Sequence, residues 1–113
     1  MSAYAKIDEV EQTPKFGNCG PNGWGFMLWS NLLDDEAPHR TMLEQFARAH
    51  EGFALTLPKH DRYEDCVEGS LRWETHDVWV YYETILSHLS LWSPDRQAVE
   101  ELRALIVPVA SKM

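Results

Sequence analysis

The chain has 113 residues, 44% of them hydrophobic and 12% aromatic, with 18 acidic against 10 basic side chains and a net charge of −8. A chain of this length buries roughly two thirds of the surface it exposes when unfolded, so one domain with a core of its own is expected, and the aromatic content excludes a disordered chain. The charge repels phosphate backbones and anionic lipid surfaces, which argues against nucleic acid or membranes as partners, and no apolar run reaches the roughly 20 residues of a membrane span.

Residues 1–15 combine Asp8, Glu9 and Glu11 with few large apolar groups, and a mobile segment or at most one edge strand is expected before a globular domain over 16–113. The opening residues lack the apolar stretch of a secretory signal, so the expected compartment is the cytoplasm, where Cys19 and Cys66 are expected as free thiols. Phe16 to Gly25 holds four of the six glycines and a Pro, the composition of a loop. The apolar run Phe26 to Leu33 is too short for periodicity to decide, and the spacing of Met27, Leu28, Asn31 and Leu32 fits a helix slightly better than a strand.

Asp34, Asp35 and Glu36 precede Pro38 and oppose the positive end of a helix dipole, predicting a helix with Met42, Leu43, Phe46 and Ala47 on its buried side and Gly52 as its stop. Phe53 to Leu57 alternates with period two and ends at Pro58, as a short strand does. Val67, Gly69, Leu71 and Trp73 share one face of the next strand. The stretch Leu71 to Ser93 carries three of the five tryptophans and two of the four tyrosines. Its polar Thr75-His76-Asp77 reads as the turn of a hairpin around which the fold is built. Ile85 to Trp92 reads as a strand or a helix, the strand reading being preferred. Ser93-Pro94-Asp95 starts a helix with Ser93 as cap and Val99, Leu102, Leu105 and Ile106 buried, closed by Pro108. The expected fold class is α+β: an antiparallel sheet of about three to four strands with two or three helices packed on one face.

Three kinds of chemistry are open. Asn18-Cys19-Gly20-Pro21 resembles the nucleophile segment of papain-like cysteine peptidases of the double-glycine type. The resemblance implies Cys19 as nucleophile at a helix N-terminus, Gln12 as oxyanion donor and His76 as base, although Asn22, Gly23 and Gly25 depart from the family's helical pattern. His39, His50, His60, His76 and His88 lack the tight spacing of metal ligands, so no metal or other cofactor is expected. A regulatory domain with a small-molecule cavity between sheet and helices is a further alternative.

The preferred reading is a binding protein. Asp34, Asp35 and Glu36, with Asp61, Glu64, Asp65 and Glu68, form two acidic stretches on a small domain that has no catalytic motif of high specificity. Trp79 and Tyr81 share one face of their strand, opposite Val78, Val80 and Tyr82. Acidic loops with exposed aromatics suit a protein that inhibits a basic toxin or effector domain, as bacterial toxin-immunity proteins do.

Overall fold

The computed structural model describes residues 4–14, 22–30, 38–59, 66–83 and 87–112. Among the described residues seven strands and two helices follow in the order β1 (Tyr4–Ile7), β2 (Glu11–Pro14), β3 (Asn22–Ser30), α1 (His39–Ala49), β4 (Ala54–Thr56), β5 (Cys66–Trp73), β6 (His76–Glu83), β7 (His88–Ser93) and α2 (Arg96–Ala110). All strands belong to one antiparallel sheet. The expected three to four strands with two or three helices is therefore corrected to a mostly-sheet fold with two helices among the described residues.

Two segments account for the difference. The run from Phe26 has a spacing that fits a helix slightly better, whereas Phe26 to Ser30 lie in the nine-residue strand β3, whose two edges both find partners, so pairing decides what a short apolar run leaves open. Residues 4–14, expected as a mobile segment or one edge strand, are two short strands laid along β3. Trp24 and Gly25 pair with both β2 and β7, while Leu28 and Trp29 pair with both β1 and β7. Hence β1 and β2 lie on the same side of β3, as one edge strand broken at Asp8 to Val10. The break is held by the Asp8 amide donating to the Met27 carbonyl at 2.8 Å and by Arg103 Nε of α2 donating to the Asp8 carbonyl at 2.8 Å.

From β3 the sheet runs through β7, β6 and β5 to the three-residue edge strand β4. The β5–β6 hairpin turns at Glu74 and Thr75, with Trp73 opposite His76, so the turn lies earlier than the polar triplet suggested. Glu74 takes the left-handed conformation, φ 52°, which a non-glycine residue adopts at some cost.

Cross-strand register sorts the side chains into two faces. On the first, Leu28, Leu89, Tyr82 and Val67 form one row and Phe26, Leu91 and Val80 the next. All are buried, and the helices contribute Met42, Leu43, Phe46, Ala98, Val99, Leu102 and Ile106 to the same core. Phe53 stacks on Trp73 at 4.8 Å.

Helix α2 starts two residues later than expected: Asp95, not Ser93, is the cap, accepting from the Gln97 and Ala98 amides, while the Ser93 hydroxyl accepts from the Asp95 amide. Pro108 lies inside α2 rather than closing it. The carbonyl that its missing N–H would have met belongs to Ala104, an exposed residue. No helix among the described residues is long and apolar enough to cross a membrane.

Candidate functional site

The second face of the sheet carries a different chemistry. Its side chains form three rows across the strands. Glu11, Gly25, Trp92, Trp79 and Ser70 make the first; Met27, Ser90, Tyr81 and Glu68 the second; Lys6, Trp29, His88, Glu83 and Cys66 the third. Both helices contribute to the opposite core, and Trp29, Trp79, Tyr81 and Trp92 remain half-buried.

The aromatic groups are fixed by polar contacts at their rims. Trp79 and Tyr81, two residues apart on β6 and therefore neighbours on one face, stack with ring centroids 5.4 Å apart and planes 18° from parallel. The Tyr81 hydroxyl donates to Glu83 Oε1 at 3.0 Å, and His88 Nε2 donates to Glu83 Oε2 at 2.7 Å. Burial, then the Glu83 carboxylate, push the Tyr81 pKa up, so this phenol keeps its proton and stays a donor. Trp29 packs against His88 at 5.2 Å and donates its indole N–H to Asp8 Oδ2 at 3.1 Å. Trp92 donates its own to the Thr13 carbonyl at 2.8 Å.

Of the expected binding residues, the structure brings Trp79, Tyr81 and Glu68 together, with Glu68 exposed and directly opposite Tyr81 across β5 and β6. Asp34, Asp35, Glu36, Asp61, Glu64 and Asp65 lie outside the described residues, as does Cys19. Gln12 is exposed on β2, whereas His76 begins β6. Three strand spacings and two residues separate them, roughly 15 Å, so they do not share a site.

His76 faces α2, with Nδ1 3.4 Å from Asp95 Oδ2 and Nε2 3.8 Å from Glu101 Oε2. From Asn22 the chain is β3 rather than the continuing helix that the peptidase resemblance implies. Cys66 is an exposed free thiol. Among the described residues no group of three His, Cys, Asp or Glu side chains is placed to hold a metal ion. The small-molecule alternative called for a cavity between sheet and helices, but the described residues there are packed to essentially complete burial. An open groove of about 410 Å³ lies elsewhere, between the C-terminal ends of α1 and α2.

Compared with family models, curated proteins and solved structures, the chain matches none.

Residues missed from the sequence are Gly25, Met27 and Trp29 of β3, His88, Ser90 and Trp92 of β7, and Glu11. Their signal is strict alternation against Phe26, Leu28, Leu89 and Leu91. It emerges once Phe26 to Ser30 is read with period two instead of 3.6.

Proposed function

We propose that the protein is a non-catalytic binding protein whose acidic, aromatic sheet face receives a basic protein partner, in the manner of bacterial toxin-immunity proteins. The observation that carries this reading is the stacked Trp79–Tyr81 pair, half-exposed on a sheet face and bordered by the carboxylates of Glu68 and Glu83. Large rigid aromatics lose little conformational freedom on binding and dominate contact energies, while neighbouring carboxylates select a basic surface and speed encounter. The net charge of −8 extends the same preference to long range.

Affinity capture from the native host at low salt, using the wild-type chain and a Trp79→Ala/Tyr81→Ala variant, tests the reading. The expected result is a basic protein retained by the wild type, released as salt rises, and lost from a double variant that still melts cooperatively. Equal retention by the folded double variant, or no retained protein at all, contradicts it.

A further inference from the structure

Between Trp92 and Met27 the second sheet face has a dip, because two of its positions carry almost no side chain. Gly25 contributes none and Ser90 only a hydroxymethyl group, and these residues stand diagonally across the β3–β7 pair, where Gly25 is opposite Trp92 and Met27 opposite Ser90. The resulting cleft, about 110 Å³, opens toward the break in the edge strand and is lined there by Asp8, Glu9 and Glu11. It would hold several waters, but it is well below the roughly 300 Å³ at which small-molecule sites begin. Its size suits the end of one side chain.

The lining is constructed rather than incidental. A Cβ at Gly23 would run into the Trp92 ring, and one at Gly25 would stand 2.7 Å from the Leu91 carbonyl oxygen. Glycine at both positions lets the indole lie against β3, and its N–H bond to the Thr13 carbonyl locks that pose. Ser90 is only 8% exposed and lines the cleft, yet among the described residues nothing hydrogen-bonds to its hydroxyl. The Ser90 hydroxyl is not sealed from solvent, so it stands open to a donor that enters the cleft. Among the acidic groups, Asp8 is paired with Lys6 at 3.2 Å and Glu9 with Arg103 at 3.4 Å. Glu11 is exposed and ion-paired to nothing among the described residues.

We infer that this cleft is a subsite for one arginine guanidinium of a partner protein, with Glu11 as carboxylate acceptor, the Ser90 hydroxyl as second acceptor and Trp92 as the aromatic wall. A planar cation with five donors matches a carboxylate, a lone hydroxyl and an indole better than the compact lysine ammonium does. This inference rests on the proposed reading of the same face as a surface for a basic partner.

The probe is N-acetyl-arginine amide, titrated at low salt while the Trp92 indole N–H resonance is followed, with N-acetyl-citrulline amide as the neutral control of equal shape. Saturable movement with arginine and none with citrulline is expected. Glu11→Gln should weaken binding about fivefold, the scale of a partly exposed ion pair, and Ser90→Val, which fills the dip, should abolish it. Glu11→Gln alters an exposed side chain and keeps the test valid if Ser90→Val does not fold. Equal response to citrulline, or wild-type affinity in folded Glu11→Gln, overturns the subsite. A basic partner that binds through Trp79 and Tyr81 with no change in affinity in Glu11→Gln also overturns the subsite while leaving the wider reading intact. Arginine binding without any protein partner supports the subsite and removes that reading.

Discussion

His39 is the residue whose chemistry is most altered by the fold. It opens α1 at 1% exposure, with Nδ1 2.9 Å from the Tyr4 hydroxyl and its ring 5.5 Å from Tyr82. Among the described residues its Nε2 has no hydrogen-bond partner. Burial, aided by the nearby His88, lowers its pKa from 6.5 to about 4, because a charged ring would be stranded in the core. The folded value lies below the unfolded one, so the folded state favours the neutral ring. The stability tied to that difference is intact above pH 6.5 and is lost as pH falls toward 4, at up to about 1.4 kcal/mol per pH unit. His39→Gln removes the titration. In urea unfolding, the stability of wild type relative to His39→Gln should fall by about 2 kcal/mol between pH 7 and pH 4.5. A constant difference would mean the ring is not held neutral.

The broken edge strand depends on contacts from outside the sheet. Arg103 reaches from α2 to the Asp8 carbonyl and to Glu9, and the Asp8 carboxylate in turn receives the Trp29 indole. Arg103→Ala should therefore cost about 1 kcal/mol and speed hydrogen exchange at the Asp8 amide more than in β5 or β6. Unchanged exchange at Asp8 would show that the break supports itself. The β5–β6 hairpin makes a second contrast possible, because its two aromatic sets face opposite ways. Trp73 is 4% exposed and stacked on Phe53, so Trp73→Ala should destabilise by about 3–5 kcal/mol. Trp79→Ala removes a half-exposed ring and should cost clearly less, which thermal melting of the two variants checks. That Trp79 and Tyr81 share one face of their strand and Val78, Val80 and Tyr82 the other was legible in the sequence, since alternation in a strand needs no partner to be read, whereas which face is covered was decided by the packing of the helices. The identity of β3 was not, because the apolar run from Phe26 to Leu33 is too short for its spacing to separate helix from strand.

For the molecule as a whole, the excess of acid acts through its field. If the sheet face receives a basic partner, charge reversal at exposed Glu68 or Glu11 should slow association several-fold at low salt and change dissociation less, with the difference vanishing as the Debye length shrinks below about 8 Å. Stopped-flow mixing at two ionic strengths measures this, and an association rate indifferent to salt and charge would count against electrostatic steering. The sequence by itself determined the chain's sign of charge, the helix over Met42 to Phe46 and the inward stripe of α2. It also determined the two faces of the hairpin, because composition and periodicity are local properties. Only the tertiary structure decided that Asn22–Ser30 is a central strand, that residues 4–14 complete its edge, and that Gly25, Ser90, Trp92 and Glu11 surround one cleft. Those residues come from three strands far apart in the chain, and hydrogen-bond register between strands, which no single segment encodes, is what sets them side by side.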